Sequence, residues 1–83
     1  MIYTIATVKD ELTGKFYQPN FFSSALDATR MFKYQINENK YWKANSGDYG
    51  LYELGTYDDE TGELRNITPN KIASGRACVE EEA

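Results

Sequence analysis

The chain has 83 residues, a formal net charge of −4, a single cysteine and no histidine. A chain this short forms one small domain with a thin core, so we expect it to bury further surface by oligomerisation. The lone Cys78 cannot form an internal disulfide, and the lack of histidine excludes a Cys–His nucleophile and makes a zinc site unfavourable.

Charge is distributed unevenly along the chain. Residues 30–49 carry a net charge of +2, whereas residues 1–29 carry −1 and residues 50–83 carry −5. The overall charge argues against a generic electrostatic binder of nucleic acid, and the middle segment is the one that suits an anion. The chain has neither a signal-peptide pattern nor an apolar run of transmembrane length, so we expect a soluble, intracellular protein that does not contact membranes.

One short phrase occurs twice, as Tyr3–Glu11 and as Tyr52–Glu60, and a Thr-Gly pair follows each copy at Thr13-Gly14 and Thr61-Gly62. The β-branched and aromatic residues favour strands, and the Asp and Gly residues favour tight turns. Each copy therefore predicts a β-hairpin. The acidic residues have the spacing of turn caps, not of a calcium loop, so no metal or cofactor is predicted.

A helix is predicted between the two hairpins, from about Ser24 to about Asn37. A serine hydroxyl can cap the first free amides, and Asp27 suits the positive end of the helix. Apolar residues recur at spacings of three and four on one face of this helix, at Ala25, Ala28, Phe32 and Ile36. Met31 extends this apolar stripe.

The rest of the chain is predicted as a polar loop over residues 38–50, a strand from Leu51 to Tyr57, its turn and a return strand that Thr68-Pro69 breaks. Residues 70–79 give no clear pattern. We therefore predict a single domain over residues 1–79 and an acidic, disordered tail over residues 80–83.

The order hairpin, helix, hairpin predicts an α+β fold. In this fold a small antiparallel sheet of three to four strands carries one amphipathic helix on one face. Such an arrangement is the simplest way to bury the apolar face of the helix and one apolar face of the sheet.

Glu53 is taken to mark the solvent face of the sheet, so strict alternation places Tyr52 and Leu54 in the core. The repeat extends this expectation to Tyr3 and Ile5, although Tyr3 and Tyr52 could instead form a stacking pair on an open sheet. The opposite face would then present an apolar surface to a second subunit, with a two-fold dimer as the first expectation. Its candidate interface residues are Ala6, Val8, Leu51 and Tyr57.

Three phrases carry a family resemblance: Tyr3–Gly14, Ala28–Phe32 and Asp48–Gly62. Over residues 2–66 the chain resembles the small nonstructural proteins of gokushoviruses, which are microviruses with single-stranded DNA genomes that infect bacteria. It departs from them at Ser46-Gly47, where relatives often have a proline. The resemblance implies a phage protein of the host bacterial cytoplasm that is described as nonstructural or DNA-binding and acts between genome replication and packaging.

The candidate nucleic-acid site combines cations, which can pair with phosphates, and rings, which can stack on bases. Its residues are Arg30, Lys33, Lys40, Tyr41, Trp42, Lys43 and Tyr49. Alternatively, Trp42 and Tyr49 pack beneath the loop and the lysines only solvate the helix. The leading hypothesis is a non-enzymatic accessory protein that binds single-stranded DNA. The alternative is a regulator or assembly factor that binds a viral or host protein and never contacts DNA.

Overall fold

The computed structural model of the chain describes residues 1–80, which form an antiparallel sheet of five strands and three α-helices. In chain order the elements are β1 (Ile2–Asp10), β2 (Lys15–Phe16), β3 (Asn20–Phe22), α1 (Ala25–Glu38), α2 (Lys40–Ala44), a 3₁₀ turn (Ser46–Asp48), β4 (Tyr49–Asp58), β5 (Leu64–Ser74) and α3 (Gly75–Cys78). Within this part of the chain, no helix has both the length and the apolar composition needed to cross a lipid bilayer.

The strands follow the order β2-β1-β4-β5, and β3 also pairs with β1 on the same side as β2. All pairs are antiparallel, and α1 packs on one face of the sheet, which confirms the predicted α+β class. The strand count is higher than predicted because the segment around Pro19, which cannot donate to a ladder, divides the return strand of the first hairpin into β2 and β3.

Helix α1 begins and ends within one residue of the predicted bounds. The Ser24 hydroxyl accepts a hydrogen bond from the Asp27 amide at 3.0 Å, as a capping serine should. Ala28, Phe32 and Ile36 are buried against the sheet, whereas Met31 remains 48% exposed. The apolar stripe is therefore narrower than predicted.

The prediction of which sheet face is buried is wrong. Ala6, Val8 and Leu51 lie in the core together with α1, and none of the three is more than 7% exposed. Tyr57 lies on the opposite face, where it is directly paired with Tyr3 of β1. These four residues therefore do not form one apolar surface, and three of them cannot contact a second subunit.

A β-bulge explains why Tyr57 lies on the opposite face from Leu51, and the position of Glu53 explains the wrong choice of buried face. Ile5 pairs with Gly55, but the next residue, Ala6, pairs with Glu53, so Leu54 is an extra residue in β4. Alternation restarts beyond the bulge. Glu53 lies on the helix side of the sheet and is only partly exposed, so its charge does not mark the solvent face.

Two segments contain more regular structure than predicted. The expected loop over residues 38–50 contains α2 and the 3₁₀ turn, and the Asn39 side chain caps α2 by accepting from the Trp42 amide at 3.1 Å. Strand β5 continues through Pro69 to Ser74, which is possible because an edge strand can leave a missing donor on its solvent side.

Beyond β5, helix α3 packs against α1 and buries Cys78, and this burial raises the pKa of the thiol. The Glu80 amide donates to the Asn37 side-chain oxygen at 2.7 Å. Glu80 is therefore held against α1. The remainder of the predicted acidic tail, residues 81–83, lies outside the described residues.

The two repeated phrases form equivalent turns. The Asp10 carboxylate accepts from the Leu12 amide at 3.0 Å, and the Asp58 carboxylate accepts from the Glu60 amide at 2.9 Å. Gly14 and Gly62 then adopt φ values of 78° and 75°, a left-handed conformation that glycine tolerates best. The repeat in the sequence thus encodes two hairpin turns of the same kind.

The bulge predicts an unusually large cost for Gly55→Ala. Gly55 has a φ of 156°, and an added Cβ would clash with the backbone carbonyl oxygen of Arg65. We expect the free energy of unfolding to fall by about 3 kcal/mol or more. The matched change Gly62→Ala meets no atom within 4 Å and should cost only about 1 kcal/mol. Urea denaturation of both variants measures the difference, and equal costs would contradict the bulge geometry.

Candidate nucleic-acid interface

The predicted basic and aromatic segment lies on the helical side of the molecule. Arg30 and Lys33 are exposed on α1, and Lys40 and Tyr41 are exposed on α2, while Lys43 is partly buried. Lys33 is not fully available to a phosphate because its ammonium lies 3.2 Å from the Glu80 carboxylate.

The two remaining residues of this segment pack inward. The rings of Trp42 and Tyr49 stack with centroids 4.6 Å apart and planes at 18°, and Tyr49 is only 4% exposed. The same burial raises the pKa of Tyr49. The Tyr49 ring therefore cannot stack on a base. Tyr41, which is 68% exposed, is the ring of this segment that lies most open to solvent.

The opposite face of the sheet, which we call the open face, carries a second set of aromatic residues. Directly paired residues in antiparallel strands point to the same side, so the strand pairings define its membership. Its aromatic, aliphatic and basic residues are Tyr3, Ile5, Lys9, Phe16, Phe21, Tyr52, Tyr57, Leu64 and Lys71. Helix α1 packs on the other face, where Ala6 and Val8 lie.

The aromatic rings of the open face contact one another across the strands. Tyr57 lies 6.3 Å from Tyr3 and 5.5 Å from Phe21, measured between ring centroids, and Phe16 lies 5.5 Å from Tyr52. Phe16 is 43% exposed and Phe21 is 54% exposed. These contacts hold two groups of rings in place while leaving ring surface accessible.

Charged groups accompany the rings at one end of the open face. The Lys9 ammonium lies 5.1 Å from the Phe16 ring centroid and 5.5 Å from that of Tyr52, within the range of a cation–π interaction. The Glu11 carboxylate accepts from the Lys71 ammonium at 2.8 Å and from the Tyr52 hydroxyl at 2.7 Å. Together these contacts fix the Tyr52 ring and leave Lys9 as the open-face cation without a carboxylate partner among residues 1–80.

The hydrogen bonds at Glu11 shift the pKa values of both Glu11 and Tyr52. Hydrogen bonds from Lys71 and Tyr52 hold the pKa of Glu11 below its ordinary value, since both donors stabilise the carboxylate. The hydrogen bond to Glu11 in turn raises the pKa of Tyr52. Chemically, the open face offers flat apolar rings beside Lys9, an arrangement suited to unpaired bases and a phosphate.

A family model described as "Phage ORF5 protein" matches residues 3–78. The chain belongs to the phage ORF5 protein family. No curated protein and no solved structure matches it. The phage affiliation that the sequence phrases implied is thus confirmed at the level of this family, and the matched range includes every residue of the open face.

The sequence pattern places Tyr3, Ile5 and Tyr52 of this ORF5-family protein in the core, and it does not group Phe16 and Phe21 with them. One sequence signal could have identified the open face. Helix α1 carries the small residue Ala28 at a buried position, so it can approach the sheet closely, and it then packs best on a sheet face with small residues such as Ala6. The bulky rings then belong on the other face.

We expect Glu11→Gln to lower stability by about 0.5 kcal/mol at neutral pH, because it replaces the carboxylate that binds Lys71 and Tyr52. A lowered folded-state pKa contributes stability above the ordinary value of 4.5, and this contribution is lost as the pH falls through the lowered value. The difference between the variant and the wild type should therefore vanish in acid. Urea denaturation across this pH range tests the expectation.

The same variant should lower the pKa of Tyr52 towards 10.0, because the acceptor that favours the neutral phenol is weakened. An absorbance titration of the tyrosines, with Tyr52→Phe identifying the transition, measures this shift. Glu60→Gln removes an equal charge from the exposed β4–β5 turn and serves as the control. An equal effect of both variants would contradict a specific Glu11–Tyr52 contact.

Proposed function

We propose that this phage ORF5-family protein is a non-enzymatic accessory protein that binds single-stranded DNA in the host bacterial cytoplasm around genome replication and packaging. The narrower assignment to gokushoviruses belongs to the same proposal and rests on the phrases Tyr3–Gly14 and Asp48–Gly62. The observation that carries the proposal is the open face, where five aromatic rings and Lys9 lie on a sheet surface that α1 does not cover.

Stacking is the main source of binding energy in this proposal. An unpaired base presents a π-face to any aromatic ring, and each stack contributes about 1–3 kcal/mol without regard to sequence. Bases in a duplex are already stacked on each other, so the duplex gains little. The protein carries a net charge of −4 and therefore cannot depend on charge attraction alone.

The proposed interaction depends only weakly on salt. Lys9 and Lys71 are the cations of the open face, and each phosphate neutralised on a single strand contributes about 0.7 to the slope of affinity against salt concentration on logarithmic scales. The slope should therefore not exceed about 1.4. The competing site is the segment of residues 30–49, which has four cations and the exposed ring of Tyr41.

We expect Tyr57→Leu to weaken binding of a labelled oligothymidine by about tenfold, because one stacking surface is lost while an apolar side chain is kept. The matched variant Tyr41→Leu removes an exposed ring from α2 and should leave the affinity unchanged. Fluorescence anisotropy measures both affinities, and circular dichroism confirms that each variant is folded.

The two variants also separate the competing sites. A loss with Tyr41→Leu but not with Tyr57→Leu would move the site to residues 30–49. If the wild type binds neither oligothymidine nor another single strand at low salt, the DNA proposal fails and a protein partner takes its place.

The second candidate function, a protein–protein regulator or assembly factor, is favoured by exposed apolar side chains on β1 and β5. Ile2 is 61% exposed, Leu64 is 64% exposed and Ile67 is 43% exposed. Strand β5 also forms an edge of the sheet as described over residues 1–80. An exposed edge with apolar side chains favours pairing with another chain, and the occupant we propose is a second copy related by a two-fold axis.

This candidate predicts that Leu64→Glu converts a dimer to a monomer, because a carboxylate buried without a partner in an apolar interface is costly. Sedimentation equilibrium at micromolar concentration measures the change. The control Leu12→Glu alters another exposed leucine, in the first hairpin turn, where 78% of the residue is exposed. A wild-type protein that sediments as a 9.5 kDa species would contradict the dimer.

A further inference from the structure

A cleft opens between helix α1 and the edge of the sheet formed by residues 17–20, and we call it the edge cleft. Its volume is about 460 Å³, within the range of about 300–1,000 Å³ that is typical of small-molecule sites. Its floor is made of core residues, including Ala6, Phe32 and Leu51. The cleft is therefore not a shallow surface depression, because it reaches the apolar interior of the domain.

The rim of the edge cleft supplies three amide side chains from two sides. Gln18 and Asn20 lie on the sheet edge, and Gln35 lies on α1. Within residues 1–80 these amide groups have no hydrogen-bond partner in the protein, and all three residues are exposed. An amide offers both a donor and an acceptor, which is the chemistry that reads the edge of a base.

Aromatic rings border the same cleft. Trp42 lies 5.4 Å from Tyr17, measured between ring centroids, and both side chains line the cleft. One side of the Trp42 ring is held by its stack on Tyr49. The indole is thus fixed in position before any ligand binds, which lowers the cost of ordering it.

The charge of the lining limits the class of ligand. Among the described residues, none of the side chains that line the edge cleft is charged. The lining therefore lacks a partner for a phosphate, a carboxylate or an ammonium group. An apolar floor with an amide rim fits a neutral, flat molecule that has hydrogen-bond donors and acceptors along its edge.

The position of the cleft connects it to the open face. Phe16 and Phe21 lie on the open face, and one wall of the cleft is formed by residues that lie between them in sequence, Tyr17, Gln18 and Asn20. A strand that stacks on these two rings passes along this edge of the sheet. A nucleotide turned away from the open face at this point would meet the edge cleft.

We propose that the edge cleft binds one unpaired nucleobase of the strand held on the open face, with Gln18, Asn20 and Gln35 contacting the edge of the base. This inference rests on the proposed function. It adds a site that gives a base preference to binding that stacking alone would leave tolerant of sequence.

The test uses the intrinsic fluorescence of Trp42, the lone tryptophan, together with anisotropy of labelled strands. We expect oligomers of adenine, cytosine and thymine nucleotides to quench Trp42 to different extents. A strand of the same length without bases should not quench it.

A variant of the rim completes the experiment. Gln35→Leu should reduce the spread of affinities among the three oligomers by about tenfold, because leucine lacks the amide group but has a side chain of similar size. Tyr34→Leu changes the neighbouring exposed position on α1, outside the lining of the edge cleft, and serves as the matched control. It should leave the spread of affinities unchanged.

The outcomes separate this inference from the proposed function. If the strands bind by anisotropy while Trp42 fluorescence is unchanged, the edge cleft holds no base, although DNA binding stands. Equal base preferences in Gln35→Leu and the wild type would likewise overturn the inference. If no strand binds by either measurement, both the inference and the proposed function fail.

Discussion

The β-bulge at Leu54 and Gly55 is the constraint on which the two faces of the sheet depend. Tyr52 and Tyr57 are five residues apart, so a regular strand would point them in opposite directions. The extra residue restores them to one face, where Tyr57 also meets Tyr3. Only glycine fits at the bulge, because any side chain at Gly55 would meet the backbone of β5. The β-bulge thus places Tyr52 and Tyr57 of β4 together on the open face.

The small size of the helical layer determines what remains exposed. Helix α1 has 14 residues and is therefore about 21 Å long, whereas the molecule extends 46 × 28 × 16 Å. One helix of this length cannot cover the whole sheet. The helix buries Ala6, Val8 and Leu51 at one end and leaves Ile2 and Leu64 exposed at the other. The exposed surfaces proposed for binding exist because the helical layer covers only part of the sheet.

Much of the local structure could be predicted from the sequence. The Ser24 cap, the stripe of Ala28, Phe32 and Ile36, and the two equivalent turns all follow from short-range chemistry, and each is present. The candidate site was less predictable. Trp42 and Tyr49 belong to the predicted nucleic-acid site, but their rings stack on each other and pack against the core, as the alternative interpretation of this segment expects.

The sequence by itself determined the α+β class, the order of hairpin, helix and hairpin, and the phage affiliation, because these depend on residue patterns that are close together in the chain. Tertiary structure alone decided which sheet face α1 covers and which rings meet. The meeting of the rings depends on the register between β1 and β4, where a single extra residue in β4 reverses the direction of the side chains beyond it.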